Sequence, residues 1–178
     1  GNLGGLEGAD GHCQDLADAV GAGAKLWHAY LSQQPENGIG EIHPRDRIGS
    51  GPWHNAKGVE IAENVEALHS AANHINKATA LNERSEVVNG GGDQPNHHDI
   101  LTGAQPDGRT YDEDYDKTCG NWTSNGPGEA MVGHHDLQRD LSGPNLWNNS
   151  HVSRGCSQTN LASTGGGGLF YCFAVTEG

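Results

Sequence analysis

Four cysteines, Cys13, Cys119, Cys156 and Cys172, constrain this chain more than any other feature of its sequence. They are even in number and too far apart for a CxxC zinc knuckle or redox motif. They therefore read as two disulfides in an exported protein, and spacing alone does not choose among the possible pairings. The bridges matter because the core is thin: hydrophobic residues make up 33% of the chain, and 28 of its 178 residues are glycine. That composition favours turns over long regular helices within one domain, residues 1–178. Ten basic residues against 23 acidic ones leave a net charge of −13, which excludes a nucleic-acid or anionic-membrane binder. No apolar run reaches bilayer length, so no membrane span is expected. The chain starts at Gly1, which reads as a processed chain whose export signal has gone.

Periodicity predicts an amphipathic helix over residues 9–20, with Ala9, Cys13, Leu16, Ala17 and Val20 on its buried face, Asp10 near its start and Gly21 ending it. Strands are expected at 26–31 and within 53–62, then a short helical turn around 63–69. Residues 70–81 are compatible with a loose helix or a loop, and 86–88 with a strand end. Beyond position 95 short apolar pieces alternate with Asn, Asp, Gly and Pro, the signals of a meander or of a long structured loop, with strands expected at 100–101, 130–132 and 169–175. The last run, unbroken and apolar, suits a central strand buried on both faces, entered flexibly through Gly165 to Gly168. The fold class is thus α+β, with an N-terminal helix, a mixed or antiparallel sheet and long loops.

Three groups of residues carry candidate chemistry. Gln105-Pro106-Asp107 matches the tripeptide by which calcium-dependent lectins bind calcium and galactose-like sugars, through side-chain oxygens fixed by a cis-proline turn; the competing reading is a plain turn completed by Gly108. Candidate ligand-binding residues are Gln105, Asp107 and Arg109, with Trp122 as a nearby aromatic, although Trp122, like Trp27, Trp53 and Trp147, also reads as packing. Asp112, Glu113, Asp114 and Asp116 would join Asp107 as oxygen donors for calcium, or form a solvated acidic loop without the EF-hand glycine and glutamate. Two His-His-Asp triplets, 97–99 and 134–136, offer zinc, copper or nickel ligands, with His98, His135 and Asp136 the leading candidates. On a strand, alternation would bring only His97 with Asp99, or His134 with Asp136, to one side. Asn121 and Asn148 begin glycosylation sequons, which place their segments at the surface if the source glycosylates. No GxSxG, P-loop or Rossmann fingerprint occurs, so no enzyme is expected.

The order of the pieces resembles the endostatin domain of collagens XV and XVIII, of the C-type lectin-like fold, and more closely a bacterial exported relative of it. The anchors are GADGHCQDLADAVGAGAKLWHAYLS, DILTGAQPDGR, the Cys-Gly-Asn-Trp step at 119–122, and a final cysteine pair ending in an apolar strand. The resemblance implies nested disulfides, Cys13 with Cys172 and Cys119 with Cys156. It also implies a scaffold from which a long region, residues 90–155, projects to carry recognition. Two family properties do not transfer: the basic residues are few and scattered, which disfavours heparan sulfate, and residues 1–10 hold no histidine for the family's N-terminal zinc site. The leading expectation is an exported, non-enzymatic binding or structural module at the cell surface, in the periplasm or outside the cell. It would recognise a glycan or protein, or be a subunit of an oligomeric assembly. A calcium-dependent lectin is the alternative, and a metal-binding protein or metalloenzyme built on the triplets the second.

Overall fold

The structure, a computed structural model, describes residues 1–36, 38–112, 114–136 and 146–175. Helix α1 (Gly5–Ala19) buries Leu6, Ala9, Cys13 and Ala17, one stripe at helical spacing, and ends in a Schellman cap. Gly21, in the left-handed region, donates to Asp18 O while Ala22 donates to Ala17 O. Leu16 and Val20 are exposed, because the helix presents a narrower stripe than its sequence suggests. Asp10 is not a cap either: the helix starts five residues earlier, and the carboxylate reaches out to Arg47 (2.5 Å) and to Ala29 N (2.8 Å). There it ties α1 to β1 (Trp27–Ala29) and α2 (Pro44–Arg47).

The antiparallel pair β2 (Trp53–His54) and β3 (Glu60–Ala62) leads to α3 (Val65–Leu68), capped by Asn64. Residues 70–81 form turns rather than a helix, and Val87 makes one bridge, to Leu81. Three strands then build a meander, β4 (Asp99–Leu101), β5 (Met131–His134) and β6 (His151–Val152), each antiparallel to the next; the first two meet the strands expected at 100–101 and 130–132, and β6 was not expected. The described residues of 90–155 therefore do not project as a loop region. They supply the inner strands of the four-stranded sheet, because β4 and β5 are buried at every position.

Between β4 and β5 lies α4 (Cys119–Trp122), a single turn whose φ angles of 50 to 65° wind it left-handed. Such a turn costs roughly 1–2 kcal/mol per non-glycine residue, so the surroundings must hold it. Asp116 accepts from Gly120 N, Thr118 Oγ1 accepts from Asn121 N, and Trp122 Nε1 donates to Ser32 O. After α5 (Gln158–Ala162), the final apolar run breaks at Tyr171 into β7 (Gly166–Phe170) and β8 (Cys172–Ala174). It is not a central strand. β7 lies parallel to β4 at the sheet edge, and β8 turns away to pair antiparallel with β1 in a second sheet. A run buried on both faces and one shared between two sheets look alike in sequence. The disulfides are Cys13–Cys172 and Cys119–Cys156, the pairing the resemblance implied.

Two cores follow. One packs α1, the inner sheet and both disulfides around Trp122; the other gathers Tyr30, Trp53, Leu68, Trp147 and Phe173. In the second, Tyr30 Oη lies 2.6 Å from His69 Nε2, whose Nδ1 faces the Val65 carbonyl at 2.8 Å. Because that carbonyl only accepts, Nδ1 carries the proton and Nε2 accepts from the tyrosine. Burial holds the His69 pKa below its ordinary value, against the pull of the Val65 carbonyl. The unfolded chain thus binds a proton more readily, so His69 contributes full stability above about pH 6.5 and loses it as the pH falls toward the lowered folded value. Urea midpoints should be flat above that point and decline below it, with a shallower decline in His69→Gln. An equal decline in both proteins would show that His69 is not a source of the acid sensitivity.

Candidate metal centre

Asp99 is the first residue of β4 and lies opposite His134, the last of β5. Directly paired residues of an antiparallel ladder share a face, which puts this carboxylate and imidazole side by side. His151 opens β6 opposite Val132, two residues before His134, so alternation gives it the same face. His98 stands just ahead of β4, outside the pleat, and its ring stacks on His134 with centroids 4.1 Å apart and planes 11° from parallel. The expectation that adjacent triplet members must diverge therefore fails for His98 and Asp99, since only one of them belongs to a strand.

The three rings converge on one atom. Asp99 Oδ1 lies 3.2 Å from His98 Nε2, 3.1 Å from His134 Nε2 and 3.3 Å from His151 Nε2. The Nε2 atoms of His134 and His151 are 3.0 Å apart. Asp99 is 3% exposed, and both its carboxylate oxygens are buried. Each ring is held from behind by an oxygen at Nδ1: Asp136 Oδ1 at 3.5 Å for His98, Ser150 Oγ at 3.1 Å for His134, and the Val152 carbonyl at 3.0 Å for His151. For His151 that oxygen belongs to a carbonyl, so its Nδ1 bears the proton and its Nε2 a lone pair. That lone pair faces a carboxylate oxygen across little more than 3 Å, an arrangement a cation resolves. Buried imidazole or carboxylate backed by outer oxygens is the usual dress of a metal ligand.

Glycines make room for these rings. A Cβ on Gly165 would stand 2.7 Å from Asn96 Nδ2 and 3.0 Å from His98 Cδ2, and one on Gly90 only 2.4 Å from Asp136 Oδ2. The glycines entering the last strand are therefore close-packed neighbours of the site rather than a flexible lead-in. Asp136 accepts from Gly91 N (2.5 Å), fixing it behind His98. Burial raises the Asp99 carboxyl, but His134, Thr164, His151 and His98 outweigh it and leave the pKa below the usual value. Burial, helped by His134, depresses His98, and burial likewise depresses His135.

Of the residues expected to bind metal, His98 enters the cluster and Asp136 backs it. His135 does not take part: it is buried with Nε2 on the Asn89 carbonyl at 3.1 Å. Asp99 and His134 appeared in sequence only as partners of the wrong neighbours, and His151 was missed. Its signal is modest, a His-Val pair after an Asn-Asn-Ser turn, adjacent in a meander to the second triplet.

The oxygen-donor candidates lie elsewhere. Gln105 to Gly108 form a turn closed by Gly108 N to Gln105 O (2.9 Å), as the plain reading expects. The Gln105–Pro106 bond is not among the cis peptides, which correct the expected cis-proline turn. Gln105 Nε2 donates to Thr110 O, and Asp107 Oδ1 accepts from Arg109 N while its Oδ2 lies 3.3 Å from Arg109 Nε. Asp112 and Asp114 are exposed, Asp116 is spent on α4 and Thr118, and Glu113 falls outside the described residues. Gln34 organises that loop, donating to the Asp112 and Tyr115 carbonyls. Trp122 is not a surface aromatic for a ligand: it is fully buried. Nor is Asn148 a surface acceptor, since it is buried with Nδ2 on Tyr30 Oη, Gln105 O and Pro106 O. Comparison with protein-family models and with curated proteins finds no match, so the endostatin resemblance rests on its anchor residues alone.

Proposed function

We propose that this chain is an exported, non-enzymatic module whose structured site holds one divalent transition metal through Asp99, His98 and His134. The observation that carries this reading is the convergence of buried ring nitrogens on Asp99 Oδ1, with one donor atom from each of the three residues within 4.8 Å of the others. Two imidazoles and a carboxylate suit zinc, copper or nickel, whereas calcium takes about six to eight oxygens. Export is supported by the two disulfides, which persist in oxidising compartments, and by the lack of any helix long and apolar enough to cross a membrane among the described residues. The C-type lectin-like architecture of endostatin type belongs to the same reading and is supported by the disulfide pairing. The metal then rigidifies the sheet from which neighbouring loops meet a glycan or protein partner, or a second subunit. A calcium lectin has less behind it, because Gln105 and Asp107 are engaged with their own turn.

Elemental analysis of protein dialysed against zinc tests the reading. One ion per chain is expected in the wild type, and close to none in variants that remove two of the three ligands, such as His98→Ala with His134→Ala or Asp99→Asn with His134→Ala. A wild-type protein that keeps no more metal than those variants would overturn it. Calcium-dependent retention on a galactose resin, lost in Asp107→Ala, would favour the lectin instead.

A further inference from the structure

Resting on the metal reading above, we infer that His151 is the fourth protein ligand, so that the centre is a closed tetrahedral zinc site clamping three strands rather than an open catalytic one. Four ligands at zinc's bond lengths of about 2.0–2.1 Å stand about 3.3 Å apart when tetrahedrally disposed. His151 Nε2 lies 3.3 Å from Asp99 Oδ1 and 3.0 Å from His134 Nε2, close to the 3.2 and 3.1 Å by which His98 and His134 stand from that oxygen. The donor atoms that all lie within 4.8 Å of one another are those of His98, Asp99 and His134, so closure requires the exposed His151 ring to move toward His98. The Val152 carbonyl on its Nδ1 leaves Nε2 as the lone-pair atom, aimed at the shared centre.

The fold supplies these ligands from separate pieces. Asp99 comes from β4, His134 from β5, His151 from β6, and His98 from the segment leading into β4. β6 is a two-residue edge strand, the weakest kind of sheet element, and His151 is the ligand with the most exposed side chain, at 39%. A bond from His151 to the ion would pin that edge. An ion with four protein ligands keeps no position for water or substrate, which separates structural from catalytic zinc. Its contribution is then folding free energy rather than chemistry.

Cobalt substitution reads the coordination number directly. Wild-type protein with one equivalent of cobalt should show the intense visible bands of a tetrahedral centre. His151→Ala should still take up cobalt through the other three ligands, with weaker bands as water enters. Its zinc affinity should drop by more than about 100-fold, the upper range for losing an outer-shell partner. Added imidazole should restore the tetrahedral bands of His151→Ala, which also shows that the variant is folded. His97→Ala, outside the cluster, should behave as wild type. If wild-type protein takes up neither cobalt nor zinc, the metal reading itself fails and this inference with it. If wild type binds and His151→Ala matches it in spectrum and affinity, only the closure by His151 is refuted.

Discussion

Replacing Cys13 and Cys172 together by alanine should lower the unfolding free energy by about 5 kcal/mol, the loop-closure value for a bridge spanning 159 positions. That approaches the whole stability of an ordinary domain, about 5–15 kcal/mol. The same calculation gives about 4 kcal/mol for Cys119–Cys156, whose sequence separation is 37. The outer bridge does more than shorten the unfolded chain. It fastens α1 to β8, β8 is in register with β1 from Trp27↔Ala174 to Ala29↔Cys172, and α1 packs on β1. These three elements form a layer that meets the four-stranded sheet through the shared core around Trp122. In the double variant, amide exchange in α1 should therefore rise before that in β4 and β5. The urea midpoint should drop sharply, and the m-value should rise because an uncrosslinked unfolded chain exposes more surface. A double variant that keeps the wild-type midpoint would mean that packing, not the covalent link, holds this layer.

How much of this was legible in the sequence depended on how local the determining interactions are. The Schellman end of α1 was readable because Gly21 and the apolar stripe lie within a few residues of each other. Two of the meander's three strands, β4 and β5, were readable as short apolar pieces between turn residues; β6 was not. Asp10 was misplaced because its partner, Arg47, is distant in the chain and nothing local announces the pair. The final apolar run was misread for a related reason: hydrophobicity reports that LFYCFAV is wanted inside, not that β7 and β8 serve different sheets. α4 is the extreme case. Cys-Gly-Asn-Trp stood out as an anchor, yet its left-handed winding is imposed by Asp116, Thr118, the disulfide and the burial of Trp122 together. For the metal centre, the residue types were visible and their convergence was not. Strand alternation was applied to His98, which the strand does not include, and the register that brings His151 beside His134 is a property of the sheet.

Zinc at about 100 times its dissociation constant should stabilise the protein by about 2.7 kcal/mol, and removing it with a chelator should abolish that gain. Asp99→Asn should behave differently. Asparagine has nearly the same shape, so the buried site stays filled, but the amide lacks the charge on which the three rings converge. Its zinc-dependent rise in unfolding midpoint should then be much smaller than that of the wild type. The control matters because removing a buried carboxylate changes the apoprotein as well: without metal, Asp99 is 3% exposed and stabilised only by neighbouring imidazoles and Thr164. The relevant quantity is thus the zinc-dependent shift within each protein, not the difference between the two apoproteins. The shift should also shrink in acid, since an imidazole must be neutral to bind metal and protons compete for the same lone pairs. A zinc-dependent shift of equal size in Asp99→Asn would place the ion elsewhere. The convergence on Asp99 Oδ1 would then be an ordinary buried cluster of histidines around a carboxylate.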